Sequence, residues 1–175
     1  KLMHLKSRIL EYPDPVTGET VQKLLTGSMN PGESAVRNDE NLSLITDPEI
    51  VARYKAMVEA VRDNGTIRNQ FDPDKPVNVL FTGAPVEGGP RVTQKIFEMI
   101  EEEDEMILLS VFSLRNLTTP GERGSLVSRL KDAKERGVEV VVVTDRKQSD
   151  GIGANGEQRF RDDRTEDWIR DAGIP

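Results

Sequence analysis

The sequence predicts an α/β fold, a layered sandwich in which helices flank a mixed, partly parallel sheet. The main observation is that strand and helix patterns alternate through the second half, with apolar runs at Val77–Phe81, Met106–Phe112 and Val138–Val143. Composition is the second observation, because 35% of the 175 residues are hydrophobic and 31% are charged, which is typical of a globular protein. The length suffices for one domain with a sizeable core.

The first 45 residues predict a set of short strands. Residues 1–10 form the first strand, and its period of two places His4, Lys6 and Arg8 on one face. Pro, Asp and Gly are dense in the next segment, which indicates a turn over Tyr12–Glu19. Two further strands are predicted with a polar loop between them: Val21–Thr26, the loop Pro31–Asn38, and Leu42–Ile45.

One long helix is predicted after these strands. Asp47 is a favoured N-cap, Pro48 suits the first helical position, and Asn64-Gly65 ends the helix. Apolar residues recur at helical spacing and predict one buried stripe: Ile50, Tyr54, Met57, Val58 and Val61. The polar stretch Thr66–Pro76 has two prolines and little periodicity, so we interpret it as a linker.

Three helices are predicted in the second half, the last at about Thr165–Ala172. The buried side of the first is marked by four residues, Val92, Ile96, Met99 and Ile100. That of the second, Ser125–Arg136, is marked by three, Leu126, Leu130 and Ala133. The continuous apolar strand Met106–Phe112 is expected to be covered on both faces, as the strands of parallel sheets are.

The chain has a formal charge of −7, from 24 basic and 31 acidic residues, which mildly disfavours non-specific binding to nucleic acid. A local basic site is compatible with this charge, because net charge does not say where the charges lie. No apolar run approaches the roughly 20 residues of a membrane-spanning helix. Without cysteine, disulfides and thiolate metal sites are excluded, and the cellular compartment stays open.

Three short motifs in the first 45 residues combine groups suited to phosphate chemistry. They are His4-Leu5-Lys6, Gly27-Ser28-Met29-Asn30 and Asn38-Asp39-Glu40. Displacement at a phosphodiester spreads negative charge over the non-bridging oxygens, which Lys6 can neutralise while Ser28 and Asn30 donate hydrogen bonds. The imidazole of His4 can attack phosphorus to form a covalent intermediate, or protonate a leaving alkoxide. Glu40 can bind the other ring nitrogen of His4 and fix its orientation.

Together these motifs resemble the signature of the phospholipase D superfamily. That signature is His-x-Lys, an acidic residue after four intervening positions, then Gly-Ser-x-Asn and a downstream Asn-x-Glu. The stretch Asn38–Tyr54, with a strand, an Asp-Pro pair and a helix, resembles the family's usual continuation. At the acidic position this chain has Glu11 where the family usually has aspartate, and Asp14 is close enough to compete for the role. Because the family's residue there is mainly structural, the departure concerns the local turn more than the chemistry.

The resemblance implies a phosphodiesterase that acts through a phosphohistidine intermediate and needs no metal or other cofactor. It assigns His4, Lys6 and Glu40 as catalytic, and Lys6, Ser28 and Asn30 as ligands of the substrate phosphate. The expected substrate is a phospholipid before a nucleic acid, which would bring the protein into transient contact with a membrane surface. A phospholipase D-like nuclease and an inactive, family-derived binding module stay as alternatives.

The family's mechanism uses two such histidines, one as nucleophile and one as general acid, whereas this chain has a single histidine. The resemblance therefore implies that a second His-x-Lys half-site comes from a homodimer partner or from another segment of sequence.

The two halves of the chain stand in the reverse of the family's order. Residues 1–65 resemble the C-terminal part of a repeat, 66–76 form the linker, and 77–175 resemble the N-terminal part, together about one repeat. Trp168–Pro175 resembles the helix and turn that lead into the His-x-Lys strand. Three explanations fit this reversed order: an excerpt from a two-repeat enzyme, a chain with omitted segments, and a circular permutant. The linker favours the first two. A sheet pairing Val138–Val143 with Met3–Ile9 would count against a simple excerpt.

Overall fold

The computed structural model describes the chain at residues 5–30, 32, 40–118, 124–145 and 165–175. These residues form five strands and four helices, which confirms the α/β class. The chain divides into two compact units, Lys1–Arg91 and Val92–Pro175. Within the described ranges the strands form two separate sheets, one antiparallel and one parallel, instead of the single mixed sheet that we predicted.

The first unit contains a three-stranded antiparallel sheet in the order β1–β2–β3. Its strands are β1 (Ser7–Pro13), β2 (Thr20–Gly27) and β3 (Leu42–Ile45). β1 extends past the predicted end of the first strand, because its ladder with β2 continues to Pro13 opposite Thr20. The turn is correspondingly shorter, and Asp14 shapes it by accepting hydrogen bonds from the main-chain N–H groups of Val16 and Thr17.

Helix α1 (Pro48–Asp63) packs on the sheet, mainly on β2. Asp47 caps it as predicted, because its carboxylate accepts hydrogen bonds from two main-chain N–H groups of the first turn. Asn64 ends it in the left-handed conformation, at φ 53°. The predicted stripe is confirmed at the buried Met57 but is wrong at Val58, which is exposed.

Segment 66–91 forms no helix or regular strand, so the strand predicted at Val77–Phe81 is wrong. Its packing depends on Asn69, which is 3% exposed. The Asn69 side chain accepts a hydrogen bond from the N–H of Phe81 and donates to the carbonyls of Phe81 and Pro90. These bonds satisfy main-chain groups that a neighbouring strand would otherwise pair. They also hold the Phe81 ring edge-on to Tyr54 of α1, with the ring centroids 5.0 Å apart.

The second unit is built on a parallel strand pair with a helical crossover. Its elements are α2 (Val92–Glu102), β4 (Met106–Val111), α3 (Leu126–Glu135), β5 (Glu139–Thr144) and α4 (Thr165–Asp171). One hydrophobic core joins all five elements, with Phe97, Ile107, Leu130, Val140 and Ile169 among its buried members. The inward side predicted for α3 is confirmed, since all three of its marked residues are buried.

Two burial predictions in this unit are wrong. On α2 the predicted side is confirmed at the buried Ile100 but is wrong at Met99, which is 66% exposed. The prediction also missed the buried Phe97, whose ring centroid lies 4.1 Å from the guanidinium carbon of Arg129. Strand β4 is covered on one face only by the described residues, because the helices pack on the side of Ile107 and leave Leu108 64% exposed.

Beyond α4 the chain returns to β5, where the N–H of Val142 donates to the carbonyl oxygen of Pro175 at 2.9 Å. No helix in the described part of the chain is long and apolar enough to cross a membrane.

Candidate functional site

The end of β2 and the start of β3 meet through a close main-chain contact at Gly27. This residue pairs with Leu42 as the last rung of the β2–β3 ladder. A Cβ atom added to Gly27 would overlap the main-chain carbonyl oxygen of Asn41 and lie 2.8 Å from its Oδ1. Glycine is therefore required here by the approach of the neighbouring strand.

Ser28 joins the two strand ends through hydrogen bonds. Its Oγ donates to Oε2 of Glu40 at 2.5 Å and accepts from the N–H of Asn41 at 2.9 Å. Its own N–H is shared between the carbonyl oxygen and Oδ1 of Asn41, at 3.1 and 3.2 Å. A hydroxyl held between a carboxylate and an N–H group has a defined orientation. The fold thus brings Ser28 and Glu40, two of the predicted site residues, into direct contact.

Lys6 reaches the same end of the sheet from β1. The β1–β2 ladder ends at the pair Ser7–Thr26, and Oγ1 of Thr26 donates to the carbonyl oxygen of Lys6 at 3.1 Å. Continuing that register would place Lys6 opposite Gly27. The main chain of the partly buried Lys6 is therefore held beside the strand end that leads into the Gly-Ser-x-Asn motif.

The other predicted residues are less constrained or lie outside the described ranges. Asn30 is exposed, and its main-chain carbonyl accepts a hydrogen bond from the N–H of Gly32 at 2.9 Å. His4 lies outside the described residues, so its catalytic role and its orientation by Glu40 stay predictions.

The two acidic residues that follow the His-x-Lys motif have different partners. Glu11 accepts a hydrogen bond from Gln22 on β2 at 2.5 Å and pairs with Lys55 on α1 at 2.9 Å. The hydrogen bond from Lys55 holds the pKa of Glu11 below its ordinary value of 4.5. Asp14 instead accepts main-chain N–H groups of the β1–β2 turn, which lower its pKa. Glu11 thus ties the sheet to the helix, and Asp14 shapes the turn.

The sequence interpretation missed Asn41 and Thr26. Both contact predicted site residues, Asn41 through Ser28 and Thr26 through the Lys6 carbonyl. The available signal was their adjacency to the motifs, because Asn41 follows Glu40 and Thr26 precedes Gly-Ser-x-Asn.

A depression of about 610 Å³ in the first unit includes none of these residues. It lies between β3, the first turn of α1 and segment 70–79. Its charged side chains bind other parts of the protein: Lys75 pairs with Glu49 at 2.5 Å, and Arg53 donates to the carbonyls of Arg68 and Val79. These contacts hold segment 66–91 against α1, so we assign the depression no ligand.

No group of three or more His, Asp or Glu side chains among the described residues is arranged to hold a metal ion. No protein-family model, curated protein or solved structure matches the chain. A functional proposal therefore depends on the residues and on their geometry.

Proposed function

We propose that this chain carries one half-site of a phospholipase D-like phosphodiesterase, which hydrolyses or transfers a phosphodiester through a phosphohistidine intermediate. The observation that carries the proposal is that described site residues from each of the three motifs, Lys6, Ser28 and Glu40, lie at one end of the first sheet. Ser28 binds Glu40, 12 positions away, and Thr26, next to the Gly-Ser-x-Asn motif, binds the main chain of Lys6, 20 positions away.

The phosphate would bind between Lys6, Ser28 and Asn30. The ammonium group of Lys6 supplies a point charge for the non-bridging oxygens, and the exposed Asn30 supplies an amide donor. The single proton of the Ser28 hydroxyl is engaged by Glu40. Phosphate binding through Ser28 therefore requires this hydroxyl to rotate away from Glu40, while the N–H of Asn41 keeps the oxygen in place.

His4 would attack phosphorus and form a P–N bond as the P–O bond to the leaving alkoxide breaks, and the second histidine would protonate that alkoxide. Water or an alcohol would then attack phosphorus and break the P–N bond. Glu40 would hold the ring nitrogen of His4 that does not react. A carboxylate that accepts an imidazole N–H fixes the tautomer and the orientation of the ring. The same N–H could replace the Ser28 proton on Glu40, which would release the hydroxyl for the substrate. The hydrogen bond from His4 to Glu40 and the binding of phosphate by Ser28 would then favour each other.

A complete site requires a second His-x-Lys, from a homodimer partner or from another segment. The finer fold assignment, a phospholipase D-like sandwich, is supported by the parallel β4–α3–β5 unit and by the return of the chain to β5 at Pro175. A phospholipid is the favoured substrate, because the charge of −7 weakly disfavours a nucleic acid.

The test is turnover of a chromogenic phosphodiester over a range of protein concentrations, since a site shared between two chains would form only as they associate. We expect His4→Ala and Lys6→Ala to lower kcat by about 10²-fold or more. Glu40→Gln should lower it as well, because an amide does not fix the imidazole tautomer as a carboxylate does. Glu59→Gln, an exposed change on α1, is the matched control and should leave turnover unchanged.

Phosphatidylcholine vesicles and single-stranded DNA, compared as substrates, separate a lipase from a nuclease. Turnover that survives His4→Ala would contradict the proposed mechanism. No turnover of any of these substrates at any concentration would refute the enzyme hypothesis for this chain alone.

A further inference from the structure

We infer that Thr26 is a positioning residue for Lys6, held in place by contacts that lead through Tyr54 and Phe81 to Asn69. Its consequence for catalysis rests on the proposed function, whereas the contacts themselves can be tested without it. Lys6 lies one residue beyond the last ladder pair of β1 and β2. The hydrogen bond from Thr26 to its carbonyl oxygen therefore takes the place of the next rung.

The groups around the Thr26 hydroxyl determine which hydrogen bond it donates and which it accepts. It has one proton, and the carbonyl oxygen of Lys6 can only accept a hydrogen bond. The hydroxyl oxygens of Thr26 and Tyr54 are 3.4 Å apart, so Tyr54 is the donor in that weaker contact when Thr26 donates to Lys6. Thr26 then accepts from the helix and donates to the strand that carries the His-x-Lys motif.

Tyr54 is itself fixed by the irregular segment 66–91. Its ring lies edge-on to the buried ring of Phe81, and Asn69 binds both the N–H and the carbonyl oxygen of Phe81. An unbroken series of contacts therefore runs from Asn69 to the main chain of Lys6. A displaced Lys6 main chain would move both the ammonium group and the preceding residues of the motif.

Amide hydrogen exchange in the full chain tests the contact independently of any activity. Thr26→Val removes the donor and should speed exchange in peptides covering residues 5–8 by about 3- to 10-fold, since one hydrogen bond contributes about 0.5–1.5 kcal/mol. Thr26→Ser keeps the hydroxyl and should stay close to the wild type. Thr20→Val, an exposed change on the same strand, controls for loss of a threonine hydroxyl. Equal exchange in Thr26→Val and wild type would overturn the inference.

Kinetics and phosphate binding test the consequence for the site. Thr26→Val should lower kcat for a chromogenic phosphodiester by about tenfold, and Thr26→Ser should restore it. The affinity for inorganic phosphate, measured by calorimetry, should follow the same order. If exchange responds to Thr26→Val but neither kcat nor phosphate affinity does, Thr26 is structural and the positioning role is wrong. If the wild-type protein shows neither turnover nor phosphate binding, the proposed function and the positioning role are both refuted. The exchange measurement would still test the hydrogen bond from Thr26 to the Lys6 carbonyl oxygen.

Discussion

Gly27→Ala is a direct test of how the fold builds the site. The added methyl group would overlap a main-chain atom of the neighbouring strand, so β2 and β3 must separate locally. Overpacking costs about 1–3 kcal/mol, and each weakened hydrogen bond between Ser28 and Asn41 adds about 0.5–1.5 kcal/mol. We expect the free energy of unfolding of the first unit to fall by about 2–4 kcal/mol, a large part of the roughly 5–15 kcal/mol typical of a domain.

The aromatic residues allow each unit to be followed by its own signal. Both tyrosines, Tyr12 and Tyr54, lie in the first unit, and the only tryptophan, Trp168, lies in the second. Urea unfolding followed by near-ultraviolet circular dichroism of tyrosine reports the first unit, and tryptophan fluorescence reports the second. Gly27→Ala should lower the urea midpoint of the tyrosine transition.

Gly32→Ala is the matched control, because a Cβ atom there meets nothing within 4 Å. It should change the free energy of unfolding by less than about 0.5 kcal/mol. Equal midpoints for Gly27→Ala and Gly32→Ala would refute the argument that close strand approach requires glycine.

Three further predictions concern packing and charge. Asn69→Ala should destabilise the first unit by about 2–4 kcal/mol in the same tyrosine assay, because it leaves main-chain groups of Phe81 buried without partners; a midpoint like that of the wild type would contradict this. Leu130→Ala, at a fully buried position, should cost about 2–5 kcal/mol in tryptophan-monitored unfolding, whereas the exposed Leu108→Ala should cost less than about 0.5 kcal/mol. The pKa of Glu11 is lower in the folded chain than its ordinary value of 4.5. The ionised Glu11 carboxylate therefore stabilises the fold fully above pH 4.5, and this stabilisation is lost as the pH falls through the pKa of Glu11 in the folded chain. At low salt, wild type should therefore lose more stability than Glu11→Gln as pH falls below 4.5, and parallel stability curves would contradict this.

Local signals predicted the helices better than the irregular segment. Asp47 and Asn64 mark the ends of α1 through interactions with adjacent residues, which can be inferred from a short stretch of sequence. The apolar run Val77–Phe81 has the composition of a strand but pairs with no strand in the part of the chain that the structure describes. Its main chain is bound instead by Asn69, 12 residues before Phe81. Nothing in the run itself indicates that a side-chain amide will replace a ladder.

In the candidate site, too, residues chosen for their chemical type were predicted, whereas residues whose role depends on distant contacts were missed. The motifs predicted Lys6, Ser28 and Glu40 as site residues because phosphate chemistry uses a cation, a hydroxyl and a carboxylate. Thr26 and Asn41 were missed because their roles arise from strand pairing over 13 to 20 positions of sequence. Threonine and asparagine are common at strand ends and turns, so their identity alone carries little information.

Strand register connects the hydrophobic core to the candidate site. Leu24 is fully buried and pairs with Ile45, and three residues further along the same register Gly27 ends the ladder, where Ser28 meets Glu40. A slip of one residue would turn Leu24 to the opposite face of the sheet and forfeit the roughly 1.5–3 kcal/mol gained by burying a leucine. The same slip would separate Ser28 from Glu40. Burial of a side chain that contacts no substrate therefore determines where the proposed phosphate-binding hydroxyl lies.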